Sequence, residues 1–294
     1  MHNGKVPRAT QIRIAQTGDG YFPPDSLARR VNGEAAVLLG GGYAVLLQLA
    51  HPFVSAGVDD HSYYQQDILG RLFRTVQFMH TLIFADRQTA DRAIGHFHAM
   101  HERIKGTLGE RAGNFPANKA YSGVDPETKL WVWATFIDTG LRVYELCVKR
   151  LTPRERAQFY ADSLQLGRLL DVKEGLLPPT LPAFQDYMQT MLEGDTLAVT
   201  PTTRRLAHAV LYPKVGFWPA QSARFLRLVT AGVLPERYRQ AFGLKWNWEH
   251  RLLFRAITRS MRTVRPFAPR WVWETPMHGG NLASKLIFEG RRWA

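Results

Sequence analysis

An all-α protein is what this 294-residue sequence predicts, and three observations carry the prediction. Apolar residues recur at helical spacing along most of the chain. Helix start signals precede several of these stretches, and runs that alternate apolar with polar residues, the mark of half-buried strands, are scarce. The periodic stretches fall at 34–50, 67–84, 88–108, 126–149, 153–171, 182–198, 202–211, 219–231 and 246–263.

Taken in order, residues 1–25 read as an N-terminal arm and residues 26–294 as one helical domain with a basic C-terminal third. Arg29-Arg30, the uncharged run Ala35 to Ala50 and Val54-Ser55-Ala56 together mimic an export signal. The run falls short of the roughly twenty residues that a bilayer span needs. It also contains Gly40-Gly41-Gly42, so a buried core helix is the better reading. His51-Pro52 ends it, because the residue before proline disfavours α geometry. His51 is then either a helix-terminal histidine near C-terminal carbonyls or a site residue. Asp59-Asp60 reads as the cap of the next segment. Asp125-Pro126 offers an N-cap with proline in the first turn, and Thr152-Pro153-Arg154-Glu155 is a capping box. Gly106 marks one helix stop and Pro178-Pro179 one connection.

Composition narrows the function classes. With 45% apolar residues, the chain is neither a disordered tail nor a collagen-like repeat. The single cysteine, Cys147, excludes an intrachain disulfide and a Cys-based zinc cluster, so any metal would rest on imidazole and carboxylate. The net charge of +13 comes from residues 201–294, which hold 17 Lys+Arg against 4 Asp+Glu. No zinc-finger, basic-zipper or RNA-recognition signature accompanies it, so nucleic acid is not the expected partner. Arg251, Arg255, Arg259 and Arg262 recur every three or four residues and read as one charged helix face. That face is either merely solvated or docks on acidic lipid. These features predict a soluble, cytoplasmic protein with peripheral contact to an anionic membrane. Nothing in them sets an oligomeric state.

Two neighbouring helices could hold a ligand. Ala90, Ile94, Phe97, His101, Ile104 and Leu108 follow one another at spacings of three and four, which puts His101 in the middle of an apolar stripe. His96 and His98 fall to either side of it. A buried imidazole is either a satisfied core residue or an axial metal ligand. On the preceding helix the apolar centre is Leu72, Val76, Met79 and Ile83, with Arg71 and Thr75 one turn apart on its flank. A guanidinium there either snorkels to water or points at something needing positive charge inside an apolar pocket. With a turn near Asp86-Arg87, Thr75 and His101 lie at similar depths of roughly 17 and 21 Å in an antiparallel hairpin. That spacing allows a haem pocket without demanding one.

At these residues the chain resembles the catalytic domain shared by rubber oxygenase (latex-clearing protein) and the fungal ER-bound oxygenase of mycophenolic acid biosynthesis. Four ordered blocks carry the likeness. They are Leu47–Val58 with His61-Ser62; Arg71-Leu72-Phe73-Arg74-Thr75; His101-Glu102-Arg103-Ile104-Lys105-Gly106; and Asp125-Pro126 with Leu130–Thr135. The resemblance implies a globin-like helical domain around haem b. It implies His101 as the proximal iron ligand, with Arg71 and Thr75 on the oxygen side holding cofactor and taking part in catalysis. Arg74 would stand where the rubber enzymes have lysine and is implied as a third catalytic residue. The implied reaction is dioxygen-dependent cleavage of a C=C bond in an apolar, isoprenoid or lipid-like substrate, for which the residues from Phe73 to Phe84 would suit a channel.

The chain departs from the family pattern in three places. No glutamate lies between Glu34 and Glu102, so the family's proposed base is absent unless Asp67 serves, and Asp67 is also placed to pair with Arg71 along the helix. Trp133 and Ile68 stand where many relatives carry histidine and proline. Two further readings remain open: a non-haem metal site from His96, His98, His101 and Glu102, and a helical binding or scaffold protein of the same fold without haem or catalysis.

Overall fold

Side-chain caps set where most helices begin in the computed structural model, which describes residues 20–61, 68–213 and 220–275. Ser26 caps α1 (Leu27–Asn32). A 3-10 turn, Ala35–Gly40, then runs into α2 (Gly41–Leu49), followed by α3 (Pro52–His61). α4 (Ile68–Phe84) and α5 (Arg87–Glu102) form a hairpin, and the Asp86 carboxylate at its turn accepts from the Thr89 amide at 2.8 Å. Two short strands, β1 (Lys105–Thr107) and β2 (Ala120–Ser122), pair antiparallel with Gly106 opposite Tyr121.

Asp125 caps α6 (Pro126–Cys147), and the Thr152–Glu155 capping box opens α7 (Pro153–Leu169). Thr180 and Thr200 cap α8 (Leu181–Glu193) and α9 (Pro201–Leu211). α10 (Ala220–Val233), α11 (Glu236–Ala241), α12 (Trp248–Val264, capped by Asn247) and α13 (Arg270–Trp273) complete the described chain. The all-α class stands, the strand pair being its only sheet among the described residues.

The core is built around α6, which is apolar over most of its circumference and is therefore surrounded by other elements. α2, α7, α12 and the 3-10 turn all pack on it, burying Trp131, Trp133, Ala134, Ile137 and Tyr144. Its polar atoms are stitched to neighbours. The Trp131 indole donates to the Leu47 carbonyl at 3.0 Å, and Gln48 donates to the Thr135 hydroxyl at 2.9 Å. The buried Asp138 carboxylate accepts from Tyr43 and from Arg142 at 2.6 Å, which satisfies a charge that would otherwise be costly inside.

Several boundaries differ from the sequence reading, each for a tertiary reason. The stretch 34–50 splits because its glycines are contact points: a β-carbon at Gly40 would collide with Thr139 and Val143 of α6, and one at Gly42 with Thr230 of α10. The stretch 88–108 stops at Glu102, and Gly106 is not a helix stop but a strand residue. Its missing side chain lets the Tyr121 ring lie flat across β1, where a β-carbon would sit 2.6 Å from the phenol oxygen. Asp59 and Asp60 cap nothing; they end α3, where Asp59 pairs with Arg205 at 2.7 Å and Asp60 accepts from Tyr121 at 2.5 Å.

Among the described residues, no single helix is long and apolar enough to cross a membrane. The segments Ala35–Leu49 and Pro52–His61 are bent by 99° at their break, and Tyr43, Leu46, Leu47 and Ala50 are buried in the core.

Candidate functional site

The α4–α5 hairpin is anchored at its turn and less tightly covered away from it. Leu82, Ile83, Phe84 and Ala90, next to the turn, are buried. Further along, Leu72, Val76 and Met79 of α4 and Ile94 and Phe97 of α5 are only half-buried. The two helices run antiparallel in the expected register, since the rings of Phe78 and Phe97 stack at 4.8 Å and 7°. One turn beyond that pair, Thr75 and His101 lie at matching depth, as the spacing required. The partly covered apolar strip therefore runs to the residues that the resemblance singles out.

His101 sits in the last turn of α5 and is half-buried. Its Nδ1 lies 2.8 Å from the Phe97 carbonyl, four residues back on the same helix. A carbonyl oxygen can only accept, so the proton is on Nδ1 and the lone pair is on Nε2. Burial lowers the pKa of the ring, and the charges of Lys129, Arg71 and His98 push it the same way. The imidazole is therefore neutral near pH 7, with one nitrogen fixed by the helix and the other available as a ligand. The backbone around it is held from outside: Gly123 donates its amide to the Ile104 carbonyl at 2.8 Å and packs against the His101 carbonyl.

Arg71 is half-buried and close enough for its charge to act on His101. The Thr75 hydroxyl donates to the Arg71 carbonyl at 3.0 Å, so its proton is engaged by its own helix while its oxygen remains an acceptor. Arg74, three residues along from Arg71, is exposed. Asp67 and the side chain of Ile68 lie outside what is described. The residues expected to suit a channel are used otherwise at two positions: Phe78 is stacked within the hairpin, and Phe84 is buried against His80 at 4.1 Å. The set His96, His98, His101 and Glu102 does not converge. Among the described residues, no group of three or more His, Cys, Asp or Glu is placed to hold a metal ion.

Two buried histidines add to the picture. His51, in the first block, is 3% exposed, lies near the rings of Phe53 and Phe115, and has no hydrogen-bond partner for Nδ1. It joins α2 to α3, its amide donating to the Gln48 carbonyl in the last turn of α2 at 3.0 Å, and burial pushes its pKa down to about 4. The folded chain thus keeps His51 neutral to about pH 4, whereas the unfolded chain takes up a proton near 6.5. Stability is complete above pH 6.5 and falls as the pH drops toward 4, by on the order of 3 kcal/mol. Denaturant midpoints measured between pH 7 and 4 should fall in the native chain and fall less steeply in His51→Gln; equal slopes would contradict this. His80, which the sequence reading missed, bonds Thr275 through Nε2 at 3.0 Å and ties α4 to the segment after α13. Its spacing of four from Val76 placed it near the apolar sector, the one signal that could have found it.

Comparison with known proteins identifies the family that these blocks belong to. Residues 28–263 match the family described as ER-bound oxygenase mpaB/B'/Rubber oxygenase, catalytic domain. The chain belongs to this family. The match makes it an oxidoreductase of the oxygenase type and covers the whole hairpin and the α6 core. Two curated relatives, an uncharacterized protein of Mycobacterium bovis and one of Mycobacterium tuberculosis, are each 26% identical over 237 residues, covering 78% of this chain and 89% of theirs. No solved structure matches the chain significantly.

Proposed function

We propose that this chain is a haem b-dependent oxygenase that cleaves a C=C bond in an apolar, isoprenoid or lipid-like substrate, with His101 as the residue that would hold the iron. The observation that carries the reading is the His101 ring: neutral, with Nδ1 donating to the Phe97 carbonyl, and therefore presenting Nε2. Iron-binding imidazoles are oriented in this way by a carbonyl or carboxylate on the other nitrogen. Met79, Ile94 and Phe97 pack against the core, and the half-buried apolar residues of the hairpin outside that packing include Leu72 and Val76. His101 would hold the iron, and Arg71 with Thr75 would supply charge and hydrogen bonding to bound oxygen.

When bound, haem supplies the capture and activation of dioxygen. The chain's own part is electrostatic. The Arg71 guanidinium is permanently charged, and in a partly desolvated cleft it stabilises negative charge developing on oxygen more strongly than it would in water. Thr75 accepts or donates one hydrogen bond there if its hydroxyl turns from the Arg71 carbonyl. Addition of both oxygen atoms across the double bond, with scission of that bond, leaves two carbonyl groups and needs no further reductant.

Titration of the purified chain with haemin tests the reading. A Soret band that saturates at one haem per chain is expected, and a chain that stays colourless with excess haemin would favour the scaffold alternative. Arg71→Gln should keep the band and lower turnover by about a hundredfold, the size typical of losing one preorganised donor. Unchanged turnover in that variant would remove Arg71 from the oxygen side.

A further inference from the structure

The strongest unassigned feature of the described surface is the outer face of α12. Trp246, just before the helix, anchors it inward, with its ring 5.8 Å from Phe254 and the Arg239 guanidinium 5.0 Å above it. Phe254, Ile257, Thr258 and Met261 then face the protein. Trp248 and Leu252, one turn apart, point outward at 70% and 62% exposure, with Leu253 beside them at 53%. Leaving such side chains in water forgoes the largest favourable contribution they could make.

An adjacent row on the same helix holds Arg251, Arg255 and Arg259, all exposed and four residues apart. None of the three pairs with a carboxylate among the described residues. Arg262, which the sequence reading put in the same charged row, does not belong to it. It turns inward and donates to the carbonyls of Glu145 and Leu146, closing the C-terminal end of α6. The exposed face is thus a cationic row beside a tryptophan–leucine row, on a helix that packs on α6 and α10 through its other side.

We propose that this face of α12 docks the protein on an anionic lipid surface. Trp248, Leu252 and Leu253 enter the boundary between headgroups and acyl chains, and Arg251, Arg255 and Arg259 engage the lipid phosphates. Charge complementarity chooses an anionic surface, and the tryptophan–leucine row chooses lipid over nucleic acid, whose phosphates do nothing for exposed leucines. The inference concerns neither His101 nor its cofactor and stands apart from the oxygenase reading.

Co-sedimentation of the full chain with vesicles tests it, using phosphatidylcholine alone and phosphatidylcholine with about 30% phosphatidylserine. Binding is expected only with the anionic lipid. The triple variant R251Q/R255Q/R259Q should lose about a hundredfold in partitioning, at roughly fivefold per arginine. Trp248→Ala with Leu252→Ala should lose about a hundredfold while keeping all three charges. All these positions are exposed, so thermal melts of the variants should match the parent. Equal binding to both vesicle types, or variants that bind as the parent does, would overturn the proposal. So would self-association abolished by Leu252→Lys without any vesicle binding, which would make the face an interface between copies. Duplex DNA binding that is lost in the arginine variant, with no vesicle binding, would overturn it as well.

Discussion

His101→Ala should lose the Soret band that the native chain acquires with haemin, with haem affinity lowered by at least about a hundredfold. Loss of a supporting second partner alone costs ten- to a hundredfold at metal sites, so loss of the ligand sets a floor at the upper end of that range. Added imidazole should restore a band in this variant by occupying the space the side chain leaves. His101 is half-buried, its ring bonded to the Phe97 carbonyl and lying 4.0 Å from the Phe97 ring, so the apo-protein should melt only a few degrees below the parent. This combination separates a ligand from a core histidine. A core residue would lower the melting temperature further and leave the band unchanged.

Trp133→Ala should have the opposite profile. Trp133 is fully buried in α6, its indole donates to the Ser163 carbonyl at 3.0 Å, and its ring meets Tyr160 and Phe184 at 6.2 and 5.7 Å. Truncation removes the largest kind of buried side chain and leaves an acceptor unpaired, a loss of about 3–5 kcal/mol. In a chain of this size that lowers the melting temperature by on the order of ten degrees. Trp133→His should still destabilise, because Tyr160 and Phe184 are packed around an indole here. A melting temperature within two or three degrees of the parent would show that α6 is less central than its burial indicates.

The hairpin was legible because its evidence is local. Spacing along α4 and α5 fixed which residues share a face, and the stacked Phe78–Phe97 pair confirms the depth that spacing assigned to Thr75 and His101. Caps at Asp125 and Thr152 were legible for the same reason, since a cap reaches only to the next turn. What could not be read depends on partners distant in sequence. The strand that replaces the expected end of the helix pairs with Ala120–Ser122, and the stretch 34–50 changes character where Gly40 and Gly42 lie against α6 and α10. The inward turn of Arg262 depends on where α6 happens to end. Asp138 lies in the apolar middle of α6, and nothing near it in the sequence named Tyr43, 95 residues away, as its partner.

The most direct measurement is the resonance Raman spectrum of the ferrous, haem-reconstituted chain, prepared with and without ¹⁵N-labelled histidine. The account expects an iron–nitrogen stretching band that shifts with the label and is absent from His101→Ala. A spectrum without that band, or one in which it persists unchanged in His101→Ala, would contradict it.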